Sequence, residues 1–241
     1  MIFGGVITLI AIIVVIVMIV SSYKKKNYIG NGFIIDKLDS YSSSITSNED
    51  ITPPKLENNF TISFWINIDD FYENHLYWKH LFHKGTLKTG MYNYKYWYNI
   101  ETEIPQQCIG LWMHPSSNDL RFAITTIIDS QHENTEHPLY EVVSSNKNKN
   151  EYKEIIETCD IRDIPSNTLV NIIICVEGQS LSIYRNGKLH KTCGLNGNPV
   201  LNVGDMYFNN QRTYSGKLLK FMYLPKKVST NKIKSIYEDK P

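Results

Sequence analysis

The acidic residues are the first place to look for a reaction. In "YKEIIETCD", Glu154, Glu157 and Asp160 follow one another at intervals of three, and in "NIETEI" Glu101 and Glu103 stand two apart. Glycoside hydrolysis needs two carboxylates on opposite sides of a scissile bond. Residues three apart on a strand point to opposite faces, so Glu154 and Glu157 share no site through one strand. Glu101 and Glu103 share a face and read as solvent-facing members of an alternating strand. No catalytic residue is assigned from these spacings. A hydrolase or lyase, the alternative function, would have to assemble its carboxylates from separate strands.

Metal chemistry has equally little to work with. His75, His80 and His83 lie five and three apart without a cysteine or acid at convincing spacing, and read as ordinary strand and loop histidines. Calcium takes six to eight oxygen ligands. Asp69, Asp70, Asp119, Asp129 and Asp205 are loop candidates, but no local cluster forms a calcium loop. No cofactor or metal is therefore expected, with calcium the one left open. The four cysteines, Cys108, Cys159, Cys175 and Cys193, allow three pairings if all are oxidised and do not fix a compartment. Cys175, inside the apolar "LVNIIICVE", reads as a buried free thiol, and Cys108 likewise.

The most unusual stretch is "GMYNYKYWYNI". Tyr92, Tyr94, Tyr96 and Tyr98 alternate with Asn93, Lys95, Trp97 and Asn99. If the tyrosine row packs inward, Asn93, Lys95, Trp97 and Asn99 form a ligand surface suited to a sugar or a protein. The alternative is an inserted hairpin whose aromatics pack on a neighbouring sheet.

The elements that must position these residues are mostly strands. "FTISFWINI" puts Phe60, Ile62, Phe64, Ile66 and Ile68 on one face and Thr61, Ser63, Trp65 and Asn67 on the other. "LYWKHLFHKG", "CIGLWMH", "LRFAITTI", "LVNIIICVE", "SLSIYRNG", "KLHKTC" and "KLLKFMYL" follow at short spacing, which predicts an all-β sandwich or barrel. Asn186-Gly187 suits the positive φ values of a tight hairpin turn, with Leu181, Ile183 and Leu189 expected to face the core. At the end, Ser229 or Thr230 caps a short helix whose Ile233, Ile236 and Tyr237 form one apolar stripe.

Outside the sheet, residues 2–20 are apolar but for Gly4, Gly5 and Thr8, and Lys24, Lys25 and Lys26 follow. As a helix the run reaches roughly 28 Å, close to the hydrocarbon thickness of a bilayer, so it reads as an uncleaved transmembrane anchor. The lysine bias places the rest of the chain on the cytoplasmic side, while the sequon Asn59-Phe60-Thr61, which would suit a luminal one, sits where a strand should begin and reads as a chance match. "YSSSITSNEDITPP" reads as a tether. The apolar patch in "NGFIIDKLDS" before it suits either a strand or packing on the domain. The expected organisation is thus 1–23 anchor, 24–57 basic segment and tether, and 58–241 a single domain. Twenty-five basic and 24 acidic residues, a formal charge of +1, leave no electrostatic basis for nucleic acid binding.

In the order of these features the chain resembles the concanavalin A-like jelly-roll superfamily, particularly its laminin-G-like and pentraxin-like members. The resemblance runs through "FTISFWINI", "HLFHKG", "CIGLWMHPSSNDLRFAI", "NTLVNIIICVEGQSLSIYRNGKLHKTC" and "YSGKLLKFMYLPKKVSTNKIKSIYE", roughly residues 58 to 240. Tyr184, Asn186, Gly187 and Lys188 look like the family hairpin, and Gly204 and Gly216 like its later glycines. The tryptophan common at "NTLVN" is absent, and residues 88–103 look inserted. Such divergence, with high Asn, Lys, Ile and Tyr content, is similar to membrane proteins of large DNA viruses. A Cys159–Cys193 bridge forms if the strand before "NTLVN" returns beside "KLHKTC". The functional expectation is a non-enzymatic binding or structural module. It is anchored in a viral or host internal membrane and has a protein or glycan as its partner.

Overall fold

Period-two alternation carries through into two packed sheets. The structure is a computed structural model that describes residues 33–51, 59–85, 107–129, 140–142, 152–200, 204–210 and 212–241. Its strands are β1 (Phe33–Asp39), β2 (Ser44–Thr46), β3 (Phe60–Asp70), β4 (Lys79–Gly85), β5 (Gln107–Met113), β6 (Leu120–Asp129) and β7 (Tyr140–Val142). They continue as β8 (Tyr152–Ile161), β9 (Val170–Glu177), β10 (Ser180–Arg185), β11 (Lys188–Gly194), β12 (Asn198–Pro199), β13 (Met206–Phe208) and β14 (Ser215–Leu224). One sheet runs β1-β14-β3-β9-β10-β11; the other runs β2-β13-β4-β5-β6-β8-β7, with β12 beside β6.

The core lies between them. Phe60, Ile62, Phe64, Ile66 and Ile68 all point into it, where Phe64 and Phe221 from one sheet meet Phe82 and Phe208 from the other. Ring centroids are 5.5 Å apart for Phe64–Phe82, 5.0 Å for Phe82–Phe221 and 4.8 Å for Phe208–Phe221, with edge-to-face geometry in each pair. The outer face of the first sheet is covered as well, by helix α1 (Thr230–Glu238), so Thr61, Ser63 and Trp65 are also buried. Ser229 caps α1 by accepting from Lys232 N, and Ile233 and Ile236 pack on Ile173, Cys175 and Leu224. At its other end Lys220 Nζ donates to the carbonyls of Asp239 and Lys240 and to Asp239 Oδ1, neutralising the terminal carbonyls. Cys108 and Cys175 are buried free thiols.

Three expectations are corrected. Part of the 24–57 segment belongs to the sandwich: β1 pairs with β14 from Phe33↔Tyr223 to Asp39↔Lys217, and β2 pairs with β13. Phe33 is buried against Phe221 and Tyr223, so one short apolar patch was enough to recruit a segment of otherwise polar composition. Leu189 does not face the core and is 60% exposed. A two-residue turn fixes Tyr184 opposite Leu189, and Tyr184 lies on the outer face. Finally, no helix among the described residues is long and apolar enough to cross a membrane. The span expected over residues 2–20 lies outside them. The fold of the described residues is accordingly the jelly-roll sandwich with a C-terminal helix, and no transmembrane helix is among them. Nothing in the described residues supports the bilayer as a partner or a single-pass membrane location.

Cys159 and Cys193 form a disulfide with Cα atoms 6.2 Å apart, joining β8 of one sheet to β11 of the other. The register shows how. Ile183 lies opposite Lys191 while Tyr184 lies opposite Leu189, so His190 is an extra, bulged residue. The bulge shifts β11 by one, placing Cys193 opposite core-facing Leu181 and turning its thiol toward β8.

Candidate functional site

Several acidic side chains in the described part act as structural acceptors. Glu157 is buried on β8, where its carboxylate accepts from Thr126 Oγ1 at 2.6 Å, Asn196 N at 2.8 Å and Gly197 N at 3.0 Å. It fastens the turn after β11. Asp160 makes a two-pronged pair with Arg121, at 2.8 and 2.7 Å. Glu101, Glu103 and the Glu154 side chain lie outside the described residues. The calcium candidates are dispersed as local caps: Asp70 accepts from Tyr72 N, Asp119 from Asp163 N, and Asp205 from Asn48 N. Among the described residues no group of three His, Cys, Asp or Glu is arranged to hold a metal ion.

The histidines separate. His75 is an exposed loop residue, whereas His80 and His83 are fully buried on β4, with His80 Nε2 2.8 Å from His83 Nδ1. Trp112 lies against both rings and Tyr207 stacks on His83. Burial holds the His80 pKa well below the ordinary histidine value, and the neighbouring His83 lowers it further. The pair is buried against the rings of Trp112 and Tyr207.

The surface that stands out is a rim of loops at one end of the sandwich. "FYENHLYW", residues 71–78, connects β3 to β4; the expected strand "LYWKHLFHKG" begins only at Lys79, which leaves Leu76, Tyr77 and Trp78 in the loop. The loop is pinned by Tyr72 N to Asp70 Oδ1 at 2.8 Å, Leu76 N to the Pro115 carbonyl at 3.1 Å and Asn74 Nδ2 to the Thr213 carbonyl at 2.8 Å. Beneath it Lys79 Nζ donates to the Phe71 and His114 carbonyls, and burial lowers its pKa to about 8 against the opposing charges of Asp70 and Glu73. Trp78 is buried, edge-on to His114 and under the Arg121 guanidinium.

What this frame presents is apolar and aromatic. Tyr72 is 81% and Leu76 50% exposed, and the Arg212 guanidinium carbon lies 3.4 Å over the Tyr77 ring. Tyr41, 71% exposed, joins from the β1–β2 turn, which the Ser40 N to Gly216 carbonyl bond brings to the end where Ser215 faces Asp70. Asn74 and Leu76 both have left-handed backbones, with φ 51° and 71°. Such a conformation costs a leucine roughly 1–2 kcal/mol. Stacking, guanidinium contact and apolar burial are what the rim can offer. Sequence reasoning missed it because exposure cannot be read from composition, and Leu76, Tyr77 and Trp78 ahead of the true strand read as that strand's start. Asn93, Lys95, Trp97 and Asn99 lie outside the described residues.

Tyr184, Asn186, Gly187 and Lys188 do come together, at the β10–β11 turn. Asn186 Oδ1 accepts from Asn171 N at 3.0 Å, and Asn186 N donates to the Asn171 carbonyl at 2.9 Å. Asn171 Nδ2 in turn donates to the Phe64 carbonyl on β3. This constellation locks the hairpin to two neighbouring strands.

No protein-family model matches the chain, and no characterised protein matches it at a significant level. Solved structures do share its fold. The receptor binding domain of botulinum neurotoxin C/D mosaic serotype superposes with a TM-score of 0.51 at 15% identity, over 86% of this chain and 42% of that one. The binding domain of botulinum neurotoxin DC, solved with SialylT, matches at 0.51 and 15% identity over 88% and 42%; with rat synaptotagmin II, at 0.51 and 16% over 88% and 43%. The chain thus spans about two fifths of these domains, and at such identity the likeness is one of fold alone, a two-sheet jelly roll. The expected kinship with a large-DNA-virus membrane protein is corrected by it: the matched structures are toxin binding domains. With Glu157 and Asp160 engaged in structural bonds, the chain shares with these domains a two-sheet jelly-roll fold.

Proposed function

We propose that the domain is a binding module that engages a protein partner through the rim carrying Tyr72, Leu76, Tyr77, Arg212 and Tyr41. Leu76 carries the reading. A half-exposed leucine held in a left-handed backbone stabilises nothing in the core, and a glycine would hold the same turn without strain. Exposed aromatic and apolar side chains beside an arginine are the residue types enriched where proteins meet. A glycan is the second reading, favoured by the Tyr72 ring as an exposed stacking platform; Asn93, Lys95, Trp97 and Asn99 are a further proposed surface for it. Both ligand classes occur among the toxin domains that share the fold.

The test uses the full chain against a glycan array, SialylT and rat synaptotagmin II as probes. Leu76→Gly and Tyr72→Ala should weaken any binding at least ten-fold while the melting temperature of each variant stays level or rises. Binding to none of the probes, or binding that survives both substitutions, would overturn the rim assignment.

A further inference from the structure

We infer that the free edge of β11 is a second docking surface, one that takes an extended acidic segment of a partner protein as an added strand. β11 closes the six-stranded sheet and, among the described residues, pairs only with β10. Every residue of it except Cys193 is exposed. Outward-facing amides and carbonyls on such an edge can pair with another strand.

This edge is held ready at both ends. The Asn186-Gly187 turn is bonded to Asn171 and covered by Tyr237, and Cys193 is bridged to Cys159 in the other sheet. Just beyond, Leu195 N donates to the Gln179 carbonyl at 2.8 Å. An edge already fixed in strand geometry loses little freedom when a segment adds to it. Leu189, opposite half-buried Tyr184, offers an apolar seat for one side chain of the incoming strand.

Charge selects the occupant. Lys188, His190 and Lys191 lie within seven residues that include no acid. Lys191 Nζ reaches the Asp160 carbonyl at 3.2 Å, on the sandwich side, and Lys188 and His190 stand outside that contact. A second copy of the chain would set these cations against one another, which disfavours self-pairing, and an acidic strand would relieve them. β1, the opposite edge, has no such single-sign character: it carries Asp36, Lys37 and Asp39, with Lys37 paired to Asp39 at 3.1 Å.

Amide hydrogen exchange on the full chain, with a capped peptide alternating valine and glutamate or its valine–lysine counterpart, tests the assignment. The glutamate peptide should slow exchange across residues 188–194 at least ten-fold and the lysine peptide should not. Lys188→Glu with His190→Glu should reverse that preference, whereas Leu76→Gly should leave it intact, separating this edge from the rim. No slowing with either peptide, equal slowing with both, slowing at β1 instead, or a concentration-dependent dimer protected at β11 would each overturn the proposal.

Discussion

The ring of Tyr237 on α1 occupies the space where Gly187 would carry a Cβ: an added methyl would sit 2.9 Å from Tyr237 Cδ1. Tyr237 is also stacked on Trp65, with centroids 5.7 Å apart, so the helix is clasped between a strand and a hairpin turn. Gly187 thus answers to two constraints, its φ of 74° and this contact. Gly187→Ala should destabilise the domain by about 1 to 2 kcal/mol from the backbone alone. In a double-mutant cycle with Tyr237→Ala, the pair should cost less than the sum of the single changes, because the smaller residue accommodates the methyl. Additive costs in thermal melts would show that the ring does not press on the turn.

The register that follows the bulge at His190 makes the disulfide, and a glycine inserted between Lys191 and Thr192 should unmake it. With one residue added there Cys193 would lie opposite Ser180 rather than Leu181 and point away from Cys159. Non-reducing mass mapping should find the 159–193 bridge in the native chain and free thiols in the insertion variant. Cys193→Ala, which keeps the register, should cost roughly 3 to 4 kcal/mol for a bridge closing 34 residues.

Period and turn chemistry made the sandwich legible. The five alternating apolar residues of β3 and the Asn-Gly turn are local signals, and the structure uses both as written. Non-local facts were not available in the sequence. The patch "FIIDKLD" becomes a strand because Tyr223 and Phe221 wait for Phe33, and Leu189 turns outward because Tyr184 does, which depends on what covers the sheet. The rim escaped notice for a related reason: Tyr72 and Leu76 are apolar residues whose exposure is set by a loop pinned to Pro115 and Thr213, far along the chain.

Glu157 ties the turn after β11 to β8 through one carboxylate. Glu157→Gln would keep the shape but set an amide donor against the N–H groups of Asn196 and Gly197. Replacing charge-assisted bonds in a buried site should cost about 1.5 to 3 kcal/mol. The amides of Asn196 and Gly197 should then exchange faster while β3 and β9 keep their protection; unchanged exchange at both would show that the carboxylate does not hold the turn.

His80 should make the fold acid-sensitive in a defined window. Its imidazole is buried and held neutral, so its folded pKa lies well below the unfolded value of 6.5. Between those two values the unfolded chain binds a proton that the folded chain does not, and stability falls as the pH is lowered. Above pH 6.5 neither state is protonated at this site and the effect vanishes. One such group contributes at most about 1.4 kcal/mol per pH unit within the window. Facing His80 are His83 on its own strand, Trp112 on β5 and, through its backbone carbonyl at 2.9 Å, Arg212. His80→Phe removes the titration while keeping a ring against Trp112. Denaturant unfolding from pH 7.5 down to 5 should therefore show a steeper loss of stability in the native chain than in the variant, and parallel slopes would rule out His80 as the source.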